Sequence, residues 1–273
     1  YTRGTLFAGG EPFYFPLLPE RGFLPELSAI PDKIARRAKL LWLNYPNNPT
    51  SATAPLELFQ EAVDFAHKYG LLLCHDAAYA HVTYDGYAAP NLFQIPGAKE
   101  VAVEFNSLSK TYNMAGWRVA AVVGNPQALR YLFTLKTNQD SGHFLPVLQA
   151  ATVALTGDQA WIRERNSIYK NRRDIIIRSL GIMGLPVIPP RASLYVWCPI
   201  PAGWRSESFC HALLEEANLS LTPGTVFGAR GEGYVRISMT VPEERLKTAM
   251  NRLENWMRRA RANYPPDTPR MAT

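Results

Sequence analysis

The 273-residue sequence lacks several features that mark particular classes of protein. No apolar run approaches the roughly 18–20 residues that a membrane-spanning helix needs. The chain opens without an initiator methionine and without the apolar core of a secretion signal, so we expect it to start inside a longer reading frame. It has neither a zinc-finger spacing nor an alternation of aromatic and basic residues. We therefore expect neither a membrane nor a nucleic acid among its partners.

Cysteine and histidine are also scarce. The three cysteines, Cys74, Cys198 and Cys210, are odd in number, widely spaced and set in apolar or amphipathic runs. This pattern predicts free core thiols in a reducing compartment, the cytoplasm, and no disulfide framework. His75 and His81 flank an acidic residue, but no third ligand follows at a suitable spacing. We expect no metal site.

Charge is unevenly distributed along the chain. The net charge is +6 and the pI is about 9.2. The excess is largely local, and its main contributors are Arg172, Arg173, Arg252, Arg258, Arg259 and Arg261. These arginines fall on two predicted helices, where solvated helix faces are a better interpretation than a stripe that binds an anion.

Short apolar strands alternate with helical patterns in the first half of the chain, whereas the first 38 residues carry little regular pattern. Strands are predicted at 39–44, 71–74, 101–105 and 119–123. Between the first two, Thr53 could cap a helix, Pro55 suits its first turn and Gly70 ends it. Strands that are apolar on both faces indicate a parallel sheet covered by helices. The last strand could pair in either direction.

The pattern changes after about residue 140. Amphipathic helices are predicted at 144–155 and 158–180, followed by strands at 193–198 and 233–239 and helices at 206–217 and 242–262. The fold class is therefore α/β. We predict a large domain at 1–165, a smaller α+β domain at 166–262 joined by the long helix, and a disordered tail at 263–273.

Three chemically able residues lie just past the carboxyl ends of predicted strands, where ligands collect in parallel sheets. They are Asn48, Asp76 and Lys110. Each has a plainer alternative. Asn48 could serve only a β-turn, Asp76 could cap a helix, and Lys110 could be a solvated amine.

The segment around Lys110 strengthens the chemical interpretation. Ser107 and Ser109 offer hydroxyls to a phosphate, and Arg118 offers a bidentate fork to the same anion. A lysine amine beside phosphate donors is a candidate to form a Schiff base with an aldehyde cofactor. Tyr79 adds a phenol three residues after Asp76, although it could equally be a core aromatic.

A late arginine, Arg236, interrupts an otherwise apolar strand. Such a guanidinium needs an anionic partner. The partner could be an internal carboxylate, forming a salt bridge, or the carboxylate of a substrate.

With these residues in hand, the sequence resembles class I/II aminotransferases of pyridoxal-phosphate fold type I. The matching elements are the Asn-Pro-Thr that begins at Asn48, the Asp-x-x-Tyr at 76–79, and the Ser-x-Ser-Lys and Gly-x-Arg elements between 107 and 118. Within that family it most resembles the LL-diaminopimelate aminotransferases. The stretches that carry this likeness are GTLFAGG at 4–10, YPNNPT at 45–50, CHDAAY at 74–79, SLSKTYNM at 107–114, DSG at 140–142 and GEGYVRIS at 231–238.

The resemblance implies a cofactor, pyridoxal 5′-phosphate, and a role for each residue. Lys110 would carry the cofactor, Asp76 would face its ring nitrogen, and Tyr79 would donate to the ring oxygen, which makes these three the catalytic set. The implied cofactor-binding residues are Asn48, Asp76, Tyr79, Ser107, Ser109, Lys110 and Arg118. Arg236, with Asn48, would bind the substrate.

The implied reaction moves an amino group between LL-diaminopimelate and 2-oxoglutarate on the lysine and cell-wall route, in a homodimer with composite sites. Aminotransferases for alanine, aspartate or aromatic amino acids share these motifs. A β-lyase or decarboxylase on the same core, a ligand-sensing module of a transcription regulator and an inert fragment are further alternatives.

Two departures from the family pattern stand out. Ser51 replaces the glycine that usually follows Asn-Pro-Thr, and a positive φ there would strain the turn by of order 1 kcal/mol. The family's N-terminal part, with its arm, glycine-containing phosphate loop and ring-stacking aromatic, is not found in this sequence.

Overall fold

The computed structural model describes residues 1–185 and 187–263. Within them, the α-helices are α1 (Thr2–Phe7), α2 (Asp32–Ala35), α3 (Leu56–Tyr69), α4 (Ala98–Val101), α5 (Leu108–Thr111), α6 (Pro126–Gln139), α7 (Leu145–Thr156), α8 (Ala160–Ile182), α9 (Ser206–Ala217) and α10 (Glu243–Asn263). The strands are β1 (Leu40–Asn44), β2 (Leu72–Asp76), β3 (Ala102–Ser107), β4 (Ala120–Gly124), β5 (Tyr195–Pro199), β6 (Thr222–Pro223) and β7 (Tyr234–Ser238). Short 3₁₀ helices lie at Pro19–Arg21, Leu27–Ala29, Leu92–Gln94, Ala115–Trp117, Gly224–Phe227 and Ala229–Gly231.

The chain folds into two compact units. The first comprises Tyr1–Asn47 and Ala52–Ile162, and the second comprises Asn48–Ser51 and the chain from Arg163 onward. The short Asn48–Ser51 segment thus belongs with residues far along the sequence. The domain limits at 165/166 and 262/263 stay predictions, and residues 264–273 of the predicted tail lie outside the described residues.

The first unit is built on a four-stranded sheet in the order β1-β2-β3-β4. The first three strands are parallel, which confirms the predicted parallel sheet, and β4 is antiparallel to β3. Asp76, which was predicted to follow its strand, is instead the last residue of β2. It lies opposite Asn44 of β1 and Phe105 of β3.

Helix α3 covers one face of this sheet, as its apolar spacing predicts. Its buried side chains are Leu58, Phe59, Ala62, Val63 and Ala66, which pack in one cluster with apolar side chains of β1 and β2. Gly70 ends the helix in the left-handed conformation, with φ 66°. The predicted start is wrong: Pro55, with extended backbone, is the N-cap and Thr53 is not.

Helix α6 was not predicted from the sequence, although Asn125 caps it and Pro126 is its first residue. No residue of α6 is buried, so it lacks the apolar stripe on which periodicity depends. Several of its large apolar side chains are exposed, among them Tyr131, Phe133 and Leu135. Helices α1 and α2, of six and four residues, were missed because they are too short to show a period.

The second unit contains an antiparallel sheet in the order β5-β7-β6. Helices α9 and α10 meet in an aromatic core, where Trp256 is buried against Phe209 and its indole N–H donates to Glu216 (2.9 Å). The two-residue strand β6 was not predicted, because a pair of residues is too short to carry an alternating pattern.

Several predictions about individual side chains are settled by burial. All three cysteines are buried and free, as expected. The interpretation of Arg173 as part of a solvated face is wrong, since its side chain is 4% exposed and donates to Asp174 and to the carbonyl of Pro190. Arg252, Arg258 and Arg259 on α10 are exposed. Across the described chain, none of the helices combines the length and apolar character needed to cross a bilayer.

Candidate functional site

The carboxyl ends of three parallel strands bring polar residues to one edge of the first unit's sheet. Asn44 ends β1, Asp76 ends β2 and Ser107 ends β3. Because β1, β2 and β3 run in the same direction, these ends share an edge, which is where ligands bind in such sheets.

The Asp76 carboxylate is held at both of its oxygens. Oδ1 accepts a hydrogen bond from the backbone N–H of Ala78 (3.1 Å), and Oδ2 accepts one from the phenol of Tyr1 (2.6 Å). The Asn44 amide donates to the Asp76 carbonyl oxygen (2.9 Å), which fixes the strand end itself. The alternative role as a helix N-cap is wrong, because the next α-helix along the chain is α4 at Ala98.

A buried pair of a histidine and a glutamate lies beneath this edge, on the face that α3 covers. His75 Nδ1 contacts Glu104 Oε2 (3.0 Å), and His75 Nε2 contacts the carbonyl oxygen of Tyr45 (3.0 Å). Both ring nitrogens therefore lie within hydrogen-bond distance of an oxygen atom. Glu104 also accepts from the amides of Asn91 and Asn106.

The Glu104 carboxyl responds to two opposing influences. Burial alone would raise its pKa, but the hydrogen bond and charge of His75 and the donors at Asn106 and Leu92 outweigh burial and lower it. Glu104 thus stays ionised. In the sequence, His75 stands out only as a metal-ligand type, and Glu104 was missed, although it is marked as a carboxylate within the apolar run VAVEF at 101–105.

Lys110 lies in α5, one turn after β3 ends. Ser107 caps this helix by accepting the backbone N–H of Ser109 (3.1 Å), which leaves the Ser107 hydroxyl hydrogen able to donate elsewhere. Lys110 Nζ lies 5.9 Å from the centre of the Tyr79 ring. Tyr79 is 6% exposed, which agrees with the alternative that it is a core aromatic. A buried ring can still present its phenol to a ligand.

Arg118 follows a 3₁₀ turn and has a left-handed backbone, with φ 55°. Its Nη1 donates to the carbonyl oxygen of Ala115 (2.8 Å), and its own carbonyl oxygen contacts His143 Nε2 (2.9 Å). The residue is exposed. These two contacts fix the loop while most of the guanidinium N–H groups remain available to an anion.

Arg236 of the second unit is held between aromatic rings. Its guanidinium carbon lies 4.1 Å from the ring centre of Tyr195 and 4.7 Å from that of Phe227. Nη1 donates to Asn48 Oδ1 (2.8 Å), whereas Nε is buried and has no hydrogen-bond partner within the described residues. No acidic side chain in the described part of the chain pairs with Arg236, so the predicted alternative of an internal salt bridge is wrong.

Ser51, which replaces the family's usual glycine, has a left-handed backbone with φ 59°. The side chain is buried and its hydroxyl donates to the carbonyl oxygen of Tyr195 (2.8 Å). A hydrogen bond that glycine could not make therefore offsets the strain.

Comparison with known proteins identifies the family. The model for aminotransferase class I and II matches residues 1–253. The chain belongs to this family. The predicted resemblance and the fold type I architecture are thereby confirmed.

Two relatives of this chain are LL-diaminopimelate aminotransferases. It is 50% identical over 255 residues to LL-diaminopimelate aminotransferase 2 of Trichormus variabilis, covering 93% of this chain and 65% of that protein. It is 50% identical over 253 residues to the LL-diaminopimelate aminotransferase of Moorella thermoacetica, with the same coverage. The chain thus spans slightly less than two thirds of the length of these relatives.

Solved structures agree on the fold. BacF from Bacillus subtilis matches with a TM-score of 0.90 and 35% identity, over 94% of this chain and 65% of BacF. An aromatic aminotransferase from Pyrococcus horikoshii matches with a TM-score of 0.89 and 29% identity, over 96% of this chain and 71% of that one.

The residues of this aminotransferase chain fit pyridoxal phosphate by the chemistry of their donors. The first unit supplies a carboxylate with both oxygens held, an amine beside an aromatic ring, two hydroxyls and an exposed guanidinium. In the second unit, the buried Nε of Arg236 has no hydrogen-bond partner among the described residues. Among the described residues, no group of three His, Cys, Asp or Glu side chains could hold a metal ion.

Proposed function

We propose that this chain acts in a pyridoxal-phosphate aminotransferase that moves an amino group between LL-diaminopimelate and 2-oxoglutarate. The family membership supports transamination, and the LL-diaminopimelate aminotransferases at 50% identity support this substrate pair. The observation that carries the proposal is the Asp76 carboxylate, fixed at the carboxyl end of β2 in the same unit as Lys110.

When bound, the cofactor supplies an electron sink for the negative charge that develops at the substrate Cα. Asp76 would hold a proton on the ring nitrogen, because a carboxylate stabilises the charged form of a base beside it. Lys110 Nζ would hold the cofactor until the substrate amine replaces it, and the freed amine would then take the proton from the substrate Cα as general base and pass it to the cofactor. Tyr79 and Asn48 would donate to the ring oxygen.

Ser107, Ser109 and Arg118 would hold the phosphate. The two hydroxyls lie at the start of α5 and supply neutral donors, whereas the Arg118 guanidinium supplies a charge-assisted fork. Both types of donor come from one short segment after β3, so binding of the phosphate would also order the segment that carries Lys110.

Arg236 would bind the α-carboxylate of the substrate. The aromatic rings of Tyr195 and Phe227 hold its guanidinium plane, and the hydrogen bond to Asn48 restricts its rotation. A bound carboxylate would give the buried Nε a hydrogen-bond acceptor, and the gain of that hydrogen bond would favour an anionic ligand.

The decisive experiment has two parts, both in the full native chain that contains these residues. Borohydride trapping with pyridoxal phosphate, followed by peptide mapping, should label Lys110, and Lys110→Ala should abolish the label. Lys136→Ala, which alters an exposed lysine paired with Asp140, is the control. A label on another lysine would refute the assignment.

The second part is a panel of amino donors with 2-oxoglutarate. LL-diaminopimelate should exceed alanine, aspartate and phenylalanine in kcat/KM. Preference for phenylalanine would favour an aromatic aminotransferase instead, a candidate supported by the likeness to the Pyrococcus horikoshii structure. Ammonia or carbon dioxide release would indicate a lyase or decarboxylase, and absence of turnover with every pair would leave the sensing or inert interpretations.

The assembly that we propose is a cytoplasmic homodimer with composite sites, without nucleic acid or membrane as partner. The homodimer is supported by exposed apolar side chains on the first unit, which the surface of a second subunit could cover. They include Tyr131, Phe133, Leu135, Phe144, Leu145 and Val153.

A further inference from the structure

Tyr1 belongs to an aromatic stack on the face of the first unit's sheet that α3 does not cover. Its ring lies nearly parallel to that of Trp42, with centres 4.2 Å apart and planes 9° apart. Trp42 in turn stacks on Phe105, with centres 5.3 Å apart. Trp42 belongs to β1 and Phe105 to β3, so the stack flanks Asp76 of β2 on both sides.

The strand register explains why the phenol reaches Asp76. Phe105 lies directly opposite Asp76, and Trp42 lies two residues before the residue of β1 that opposes it. Because side chains alternate along a strand, Trp42, Asp76 and Phe105 project from the same face of the sheet. The flat contact with Trp42 therefore brings the Tyr1 hydroxyl to within 2.6 Å of Asp76 Oδ2.

This hydrogen bond has the length of a charge-assisted contact between a hydroxyl and a carboxylate. The other oxygen, Oδ1, accepts the Ala78 N–H, so one donor holds each oxygen and the carboxylate cannot rotate freely. Each oxygen has a further lone pair, and these are free to accept a third donor such as a protonated ring nitrogen.

The Tyr1 hydroxyl stays a donor. Removal of the phenol from water, then the negative charge and hydrogen bond of Asp76, raise the pKa of Tyr1 well above its ordinary value. Ionisation of the phenol beside the carboxylate is therefore disfavoured at any pH at which the protein functions.

We propose that Tyr1 is a positioning residue that orients the Asp76 carboxylate toward the ring nitrogen of the cofactor, an inference that rests on the proposed function. The stack with Trp42 sets where the phenol lies, and the phenol sets the plane of the carboxylate. None of the sequence motifs includes Tyr1, since its link to Asp76 spans 75 positions.

The first test needs no cofactor. Tyr1→Phe keeps the stacked ring and removes the hydrogen-bond donor. The infrared carboxylate band of Asp76 should therefore shift in this variant, measured by isotope editing on the cofactor-free full native chain. The band is identified by its loss in Asp76→Asn. Tyr14→Phe is the matched control, because the Tyr14 hydroxyl contacts Thr2 and not Asp76. An unchanged Asp76 band in Tyr1→Phe, or an equal shift in Tyr14→Phe, would overturn the proposal.

The second test uses pyridoxal 5′-phosphate labelled with ¹⁵N at the ring nitrogen. In Tyr1→Phe, the ¹⁵N signal of the bound cofactor should move toward the unprotonated position, and kcat should fall roughly tenfold with little change in KM. Wild-type ¹⁵N shift and kcat in this variant would overturn the role. If the unsubstituted protein takes up no cofactor, the proposed function fails, while the infrared result still decides whether Tyr1 holds Asp76.

Discussion

At the scale of single residues, the surroundings of Arg236 suit the carboxylate ligand that we propose for it. Two rings restrict the guanidinium to one plane, Asn48 restrains one nitrogen, and the buried Nε has no acceptor of its own. An unpaired buried donor is unfavourable, so a bound carboxylate would be favoured by removing that penalty as well as by its charge.

This geometry predicts the behaviour of Arg236→Lys. Lysine keeps the positive charge but loses the planar fork, so KM for every amino-acid substrate should rise, by roughly thirtyfold for a loss of about 2 kcal/mol. Steady-state kinetics over several donors would measure this, with cofactor absorbance as the check that the first unit is intact. Arg230→Lys, an exposed arginine of the same unit, is the control. A loss confined to one donor would indicate side-chain recognition instead.

Ser51 leads to a second prediction at this scale, on stability. Its left-handed backbone costs of order 1 kcal/mol, and its hydrogen bond to the Tyr195 carbonyl contributes about as much. Ser51→Ala keeps the strain and loses the bond, so the free energy of unfolding should fall by about 1 kcal/mol. Ser51→Gly loses both and should be nearly neutral. Denaturant unfolding of both variants decides the matter, and an alanine variant as stable as wild type would contradict it.

At the scale of the elements, the pair of His75 on β2 and Glu104 on β3 ties two neighbouring strands together beneath the site. The two residues lie opposite each other in the register of the parallel strands. Both side chains are almost fully buried, at 1% and 3% exposure. Asp76 follows His75 directly, so the contact between His75 and Glu104 supports the strand end that presents the candidate catalytic carboxylate.

This pair predicts how stability depends on pH. Since folding lowers the pKa of Glu104, its contribution is fully present above the unfolded value, about 4.3, and is lost as pH falls through the folded value. Glu104→Gln should lower the free energy of unfolding at neutral pH by about 3 kcal/mol and should flatten the acid side of the profile. Glu100→Gln, an exposed residue of α4, should do neither. Thermal unfolding across pH 3–7 would measure both, and a wild-type profile in the Glu104 variant would contradict the argument.

The elements also show which parts of the fold could be predicted from sequence patterns. Helix α3 and strands β1 to β3 follow from apolar spacing, because each buries its apolar side chains against a neighbour. Helix α6 does not, since it buries nothing in the described chain. Motif residues such as Asp76 and Lys110 could be singled out because strand ends and hydroxyl neighbours mark them. Tyr1 could not, because its contact with Asp76 joins distant positions, and Glu104 could be noticed only as a carboxylate in an apolar run, because its pairing with His75 depends on strand register. The residue roles and domain limits stay predictions.

At the scale of the whole molecule, the exposed apolar surface of α6 and α7 raises the question of what covers it. Tyr131, Phe133 and Leu135 of α6 are each more than 60% exposed, as are Leu145 and Val153 of α7. Exposed apolar groups on this scale mark interaction surfaces or aggregation-prone ones. A second copy of the chain, as in the homodimer that we propose, would cover them.

The last prediction distinguishes association through this surface from a merely solvated one. Burial of a phenylalanine side chain stabilises an interface by about 2 kcal/mol, so Phe133→Ser should weaken self-association in the full native chain by more than tenfold. The melting temperature extrapolated to low protein concentration should hardly change, because Phe133 packs in no core of the described chain. Sedimentation equilibrium over a range of concentrations would measure the dissociation constant. Ile182→Ser is the matched control, since Ile182 is a comparably exposed apolar residue at the end of α8. If Phe133→Ser leaves the dissociation constant at the wild-type value, or if Ile182→Ser raises it equally, the surface of α6 is not the interface. The homodimer would then have to be built through another part of the protein.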